Sequence, residues 1–380
     1  MKSIVPSGGE RAPRALIVLL SPSWTGIARL PRALALSGWQ VASLCPAKAF
    51  LGLTRFNQVC EHFSSGENYV HALNRLVARW DPDWLIPGCD SAVEWLQQMV
   101  QADAQGRWPA QASRLLDLVK RSLGHLDAHQ SRLSKHENIA RATRLGIPTP
   151  KQFQYSNCSD VLAQANQMGW PVVLKADTGF SGLTVRICHD AHALQLAWAE
   201  LVNLKQQAPA LQAYLQGAVA MCAGVAVDGI LLDSVNAVKL QTYPEPTSPC
   251  SVHRHYHDPA MSDALARLVQ DLRFTGFCAA DFIIDAETRK AHFIEFNPRP
   301  TPLTAQAGLY GHNLTAAWIR HMNAELRVGP TAASVETVAL FPNECARDPN
   351  SPYLAEAFHD VPDDDPALLQ ALKASVRLVA

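Results

Sequence analysis

Two short runs rich in β-branched and aromatic residues constrain this chain most. They are Asp281-Phe282-Ile283-Ile284-Asp285 and His292-Phe293-Ile294-Glu295-Phe296-Asn297, and they flank the polar segment Ala286-Glu287-Thr288-Arg289-Lys290. The pattern predicts an antiparallel hairpin. Asp281 lies on its first strand, and Glu295 and Asn297 lie two residues apart on its second, so the latter pair shares a face. Three oxygen donors can then converge across one hairpin, the kind of ligand Mg²⁺ takes together with substrate phosphates. Arg299 follows in a loop stiffened by Pro298, Pro300 and Pro302, where a guanidinium could hold an anion in place. Carboxylates on strands are also often solvated or in surface ion pairs, and spacing alone leaves both readings open.

At 380 residues the chain suggests two or three domains. A hydrophobic content of 48%, a charged content of 18% and a formal net charge of -1 fit a globular enzyme. They give no electrostatic case for nucleic acid or an anionic membrane as partner. The apolar run at residues 15–20 is too short for a signal or a membrane span. The nine cysteines are scattered, odd in number and lack a C-x-x-C pair. That argues for reduced thiols in a cytoplasmic protein rather than a zinc site or a disulfide framework.

Residues 15–20 read as a buried strand, 27–37 as a helix closed by Gly38, and 40–44 as the next strand. This unit predicts a parallel, Rossmann-like sheet, without the G-x-G-x-x-G of a dinucleotide site. Residues 84–90 look like a further strand with a loop at its C-terminal end, the end that faces ligands in open α/β sheets. Asp90 there is a candidate substrate contact or a helix cap.

A second unit begins near residue 131. Ser134-Lys135-His136-Glu137 opens an amphipathic helix that Gly146 ends. Residues 169–176 form a strand carrying Lys175, followed by the small-residue loop Asp177-Thr178-Gly179-Phe180-Ser181-Gly182. Backbone N–H groups of such a loop can cradle phosphate, and a lysine adds a point charge. An extended segment at 211–217 precedes strands at 218–227 and 230–240. Residues 243–258, rich in Pro, Ser and His, read as a long loop in which His253 and Arg254 supply a polar or basic wall of a substrate pocket. The acidic tail at 360–366 reads as a solvated turn before a terminal helix.

In this order, the elements resemble the ATP-grasp superfamily of ATP-dependent carboxylate ligases over residues 131 to 325. The resemblance implies a fold of mixed α/β and α+β class: a Rossmann-like pre-ATP-grasp domain (1–120), a small ATP-grasp lobe with the glycine loop (121–210), a C-terminal lobe with the metal site (211–330) and an extension packed on the core (331–380). It also implies roles. Lys135 and Lys175 would meet nucleotide phosphates, and Gly179, Phe180, Ser181 and Gly182 would close over them. Gln212, Ala213 and Leu215 would form the adenine hinge. Asp281, Glu295 and Asn297 would bind two Mg²⁺ ions, which Mn²⁺ could replace, and Arg299 with Lys175 would act on the transferred phosphoryl group. One departure stands out: Val219 occupies the position where many relatives carry a ribose-binding acid.

The implied activity is ATP-dependent ligation, in which a carboxylate becomes an acyl phosphate and an amine then attacks it, both substrates being small molecules. A carboxylate is a poor acyl donor because its leaving group would be oxide, and phosphoryl transfer asks for charge neutralisation and alignment rather than a protein nucleophile. The alternatives are a ligase for bicarbonate or another nucleophile, and a nucleotide-binding protein with little turnover. A homodimer is the commonest closed assembly for such a chain.

Overall fold

The computed structural model describes residues 11–63, 69–107, 113–124, 134–177, 184–205, 209–244, 247–322 and 335–377. Three sheets organise it.

The first is built from β1 (Arg14–Val18), β2 (Gln40–Pro46), β3 (Val59–Phe63) and β4 (Trp84–Pro87), all parallel, in the order β3-β2-β1-β4. Residues 15–18 of β1 are wholly buried, as a central strand covered on both faces requires. Helices α1 (Leu30–Leu36), α2 (Tyr69–Trp80), α3 (Asp90–Ala104) and α4 (Ser113–Leu123) accompany the sheet. Helix α1 starts later than the sequence suggests because a turn at residues 25–28 precedes it and Pro31 sits in its first turn. Chain order reverses between β1 and β4, where open α/β sheets leave a crevice beyond the strand ends. Gly88 lies at this point, its N–H 2.7 Å from the Val18 carbonyl. A Cβ there would come within 3.1 Å of that carbonyl oxygen, so the glycine permits the close approach that launches α3 at Asp90.

After α5 (Lys135–Arg144), the second sheet contains β5 (Gln152–Gln154), β6 (Val172–Lys175), β7 (Val185–Cys188) and β8 (Ala210–Ala213), in the antiparallel order β5-β8-β6-β7. Helices α6 (Cys158–Met168) and α7 (Ala191–Lys205) form a small core with it around Val161, Leu174, Leu194, Leu201 and Leu211. Helix α5 does not join that core. It buries Ile139 and Ala142 under the third sheet, although its sequence position falls within the range expected for the small lobe.

The third sheet runs β13-β12-β9-β10-β11-β14-β15. Its strands are β9 (Gly217–Val227), β10 (Ile230–Thr242), β11 (Cys250–His255), β12 (Gly276–Asp285), β13 (Ala291–Asn297), β14 (Thr337–Ala339) and β15 (Phe358–His359). The helices here are α8 (Pro259–Asp271), α9 (Pro302–Gln306), α10 (Leu314–Met322), α11 (Asn343–Arg347), α12 (Tyr353–Glu356) and α13 (Pro366–Arg377). Period-two alternation gives the sheet two apolar faces. Ala220, Cys222, Cys278, Ala280 and Phe282 pack with α8 and α5, whereas Met221, Ala223, Phe277 and Ala279 join the core of the first sheet. Trp84 of β4 stacks on Trp318 of α10 at 4.1 Å across that shared core. Asp281 has the parity of Phe277 and Ala279, so the hairpin acid faces the first sheet.

Two expectations change. Residues 250–255 are not loop but strand β11, in register with β10 and β14. The acidic tail is not a solvated turn. Asp360 accepts the Phe341 N–H at 2.7 Å and the Gln306 amide at 2.6 Å, and Asp365 is buried and accepts the Thr54 hydroxyl at 2.5 Å. Asp364 pairs with Arg32 at 2.7 Å, so these acids tie the C-terminal segment to the N-terminal unit. Among the described residues, no helix is long and apolar enough to cross a membrane, and the nine cysteines are unbridged.

Candidate active site

The hairpin register places Asp281 of β12 directly opposite Glu295 of β13, with Asn297 opposite Ala279. A bulge follows: Phe282 pairs with Phe293, leaving Ile294 as the extra residue. The Ile294 carbonyl accepts a hydrogen bond from Lys175 Nζ at 3.4 Å. The bulge in the large sheet thus receives the lysine at the end of β6, and the two sheets meet there.

Lys135 reaches the same place from α5. Its Nζ lies 3.3 Å from Glu295 Oε1, and its side chain is buried. Asp177 sets that approach. Its carboxylate accepts the His136 N–H at 2.8 Å and the Ser134 hydroxyl at 3.0 Å, while its carbonyl accepts the Lys135 N–H at 3.2 Å. Ser134 is the N-cap, accepting the Glu137 N–H. A residue two positions after Lys175 therefore anchors the helix start that carries Lys135.

Asp281, Glu295, Asn297, Arg299, Lys239 and Trp24 all line one cavity of about 110 Å³. Lys239, on β10, lies 3.9 Å from Asp281 Oδ2. Burial holds the Asp281 carboxyl above the usual carboxylate range; Lys239 partly offsets this and Glu295 adds to it. Two carboxylates facing each other in a half-buried wall fit a divalent cation, which would relieve both burial and repulsion. Lys175 is fully buried, and burial pushes its pKa down to about 7, with Glu295 opposing the fall and Lys135 adding to it.

Arg299 is held before any ligand arrives. Its Nε donates to Asp90 Oδ1 at 2.8 Å and its Nη2 to Asp90 Oδ2 at 2.7 Å. Its guanidinium also lies 5.6 Å from the Trp24 ring centroid. Asp90 is neither the N-cap of α3, which is Cys89, nor a free substrate contact; it fixes the arginine. The pair borders a second cavity of about 100 Å³ lined by Ser21, Ser23, Cys89 and Ser91, at the crevice where β1 and β4 diverge. Trp24 lines both cavities, and its buried indole Nε1 has no hydrogen-bond partner among the described residues. A larger cavity of about 670 Å³ lies between α1, residues 304–315 and residues 358–364. Of its charged lining, Arg29 pairs with Asp360 and Arg32 with Asp364, whereas the smaller cavity gathers the opposed carboxylates Asp281 and Glu295.

The remaining candidates divide. His253 lines the acid cavity, but Nε2 meets Gln306 Oε1 at 2.8 Å and Nδ1 meets the Tyr310 hydroxyl at 2.7 Å. Burial pushes its pKa down to about 4, so it is a neutral wall rather than a basic one. Arg254, the next residue along β11, is exposed and absent from the cavity lining, because adjacent strand residues point to opposite faces. In the segment expected to form the hinge, Gln212 is buried and donates to Gln152 Oε1 at 3.0 Å, and the Ala213 N–H is committed to the Lys151 carbonyl at 2.8 Å. Leu215 follows in the link to β9, where Val219 sits opposite Ile283. Gly179, Phe180, Ser181 and Gly182 lie outside the described residues. Sequence reasoning missed Lys239, Asp177 and Trp24. A lone lysine in the apolar run Asn236-Ala237-Val238-Lys239-Leu240 was the available signal for the first.

Residues 134–215 match the family described as carbamoyl-phosphate synthase L chain, ATP binding domain. The fold is similar to that of the biotin carboxylase domain dimer of 2-oxoglutarate carboxylase from Hydrogenobacter thermophilus, solved with MgADP, ADP and bicarbonate (TM-score 0.61, 16% identity, 86% of this chain and 73% of that one). It is also similar to an L-amino acid ligase from Bacillus licheniformis (TM-score 0.59, 14% identity, 86% and 79%). A third similar structure is N5-carboxyaminoimidazole synthetase from Staphylococcus aureus complexed with ADP (TM-score 0.58, 13% identity, 80% and 76%). By the sequence match over residues 134–215 and by its architecture over most of its length, the chain has the ATP-grasp fold.

Proposed function

We propose that this chain is an ATP-dependent carboxylate–amine ligase whose phosphoryl-transfer site is the cavity walled by Asp281, Glu295 and Asn297. The observation that carries the proposal is the convergence on that one cavity of two directly opposed carboxylates, the carboxamide of Asn297, Lys239 and the pre-set Arg299, with Lys135 on Glu295. The similar structures solved with ADP or MgADP support a nucleotide substrate, and the ligase among them supports amide formation.

In this assignment Asp281, Glu295 and Asn297 hold Mg²⁺, which supplies charge neutralisation for the triphosphate when bound; Mn²⁺ has the same ligand preference. Lys135 and Lys175 meet phosphate oxygens, with the glycine loop at 179–182 as their cover. The Ala213 carbonyl and the Leu215 N–H read adenine beside the buried Gln212 amide, since the Ala213 N–H is taken by Lys151. Val219 offers no carboxylate to the ribose. Arg299 holds the substrate carboxylate between the two small cavities, aligned for attack on the γ-phosphorus. That attack forms an acyl phosphate and releases ADP; the amine then attacks the carbonyl carbon, phosphate leaves and the amine loses a proton.

Bicarbonate is the second reading for the acid substrate, because a structure with this fold holds that anion. The biotin carboxylase relative is a dimer, and a homodimer is proposed here on that likeness; unbridged thiols suit the cytoplasm.

The test is incubation of the full chain with ATP, Mg²⁺ and pooled carboxylates and amines. ADP, phosphate and a new amide mass are expected, whereas AMP with pyrophosphate would contradict the acyl-phosphate route.

Lys175 supplies a pH signature. Its pKa is about 7 in the folded protein against an ordinary 10.5, so between those values the unfolded chain binds a proton that the folded one lacks. The stability this group contributes therefore rises with pH across that window. Nucleotide phosphates favour the charged form, so nucleotide binding near pH 8 is expected to take up protons. Calorimetry in buffers of different ionisation heat reads the uptake, and Lys175→Met should abolish it. A buffer-independent heat would remove Lys175 from the phosphate site.

A further inference from the structure

A second cluster of ligating side chains lies on the β3 edge of the first sheet, and the ATP site makes no use of it. The parallel register sets Ser43 opposite Cys60 and Cys45 opposite His62. Cys60 and His62 are two residues apart, so they share a face of β3, and Cys45 lies on the same face of β2. Cys45 Sγ is 3.9 Å from Cys60 Sγ and 3.7 Å from His62 Nδ1, and Cys60 Sγ is 3.9 Å from His62 Nε2. One ligand atom from each residue lies within 4.8 Å of the other two.

The sulfur–sulfur separation is metal-sized. Each sulfur is nearest a different nitrogen of His62, but one nitrogen lies within 4.8 Å of both sulfurs, and a small turn of the exposed ring closes that gap. Zn–S bonds of about 2.3 Å and a Zn–N bond of about 2.0–2.1 Å, at tetrahedral angles, put two sulfurs about 3.8 Å apart and sulfur and nitrogen about 3.6 Å apart. A disulfide needs its sulfurs at about 2.0 Å, far closer than here. Gly52, in the turn at Phe50–Leu53, faces the group. A Cβ there would come within 2.6 Å of His62 Cε1 and 3.3 Å of Cys45 Sγ, so the missing side chain leaves the three ligands their room. Cys45 is buried and His62 is exposed, which gives the cluster an anchored base and an open entry.

We propose that Cys45, Cys60 and His62 form a metal site for a soft, tetrahedral ion of the Zn²⁺ class, with its fourth position open to solvent or an exogenous ligand. Two thiolates and an imidazole discriminate against Mg²⁺, which prefers oxygen, so this site and the Asp281–Glu295 site take different ions from one solution. The sequence hides the cluster because its ligands come as Cys60-Glu61-His62 on one strand and Cys45 on another.

The probe is Co²⁺, added to the reduced, chelator-stripped full chain in excess Mg²⁺. A near-ultraviolet thiolate-to-cobalt band is expected to saturate at about one equivalent and to be displaced by Zn²⁺. Cys60→Ser and His62→Ala, each on a partly or fully exposed side chain, should weaken cobalt binding by more than the about 10–100-fold that follows loss of a supporting hydrogen bond. Circular dichroism and nucleotide binding should stay unchanged in both. Absence of the band, or its persistence in the double variant, would overturn the proposal. So would a Cys45–Cys60 disulfide in the protein as isolated whose reduction leaves metal uptake at zero.

Discussion

Glu295→Gln is expected to reduce turnover by about 10²–10³-fold while leaving the protein folded. The substitution keeps the shape of the side chain and removes one charge from the proposed metal wall. Glu295 faces Asp281 across the hairpin, lies 3.3 Å from Lys135 and helps keep the buried Lys175 protonated. Its side chain is 30% exposed, so the fold does not lean on its burial. The lost charge is expected to weaken the hold on a divalent cation and to let the Lys175 pKa fall further below about 7, since Glu295 is the larger of the two acidic charges, with Asp177, that oppose the fall. Two measurements separate these consequences: ADP release at saturating Mg²⁺, and the pH dependence of nucleotide binding. Turnover within about threefold of the parent, where 1.4 kcal/mol corresponds to tenfold, would take Glu295 out of the site.

Asp90→Ala is expected to destabilise the protein by about 3–5 kcal/mol, the range for a buried ion pair that loses one partner. Arg299 is only 8% exposed and has two hydrogen bonds to this one carboxylate, so the truncation leaves a buried guanidinium to the Trp24 ring, a 3.5 Å contact to Asn297 Oδ1 and the more distant Glu295 charge. Asp90→Ala/Arg299→Met should recover most of the loss, because it removes the stranded charge along with its partner. Denaturant unfolding of the two singles and the double measures the coupling. A single-variant loss below about 1 kcal/mol would class the pair with surface salt bridges.

Within the candidate site, the spatial grouping that sequence anticipates is the grouping within one strand or one hairpin. Asp281, Glu295 and Asn297 were legible because strand parity alone puts them on one face, and β12–β13 pairs them in register. Lys135 and Lys175 were legible from the order of the elements that carry them. What stayed hidden depends on distant pairing. Asp90 is 209 positions from Arg299, and no local pattern announces that the two meet. His253 and Arg254 looked alike in sequence, yet one became a neutral wall with both nitrogens occupied and the other an exposed side chain. The His-rich segment read as loop because its polar residues mask a strand. Its backbone pairs on both sides, and its burial comes from α9 and Tyr310 rather than from its own composition. The acidic tail misled for the same reason: its partners Arg32 and Thr54 lie more than 300 positions away.

That last contact bears on synthesis. The first sheet leaves the ribosome before α13, and part of its surface waits for residues made some 311 positions later. Leu368 and Leu372 of α13 bury against Ala28, Phe50 and Phe341, and Asp365 reaches Thr54 across 311 positions. Until α13 is made, Ala28 and Phe50 lack the leucines that cover them and Arg32 lacks Asp364. Closure of that contact is a long-range event, so the first sheet is completed only once α13 has been made.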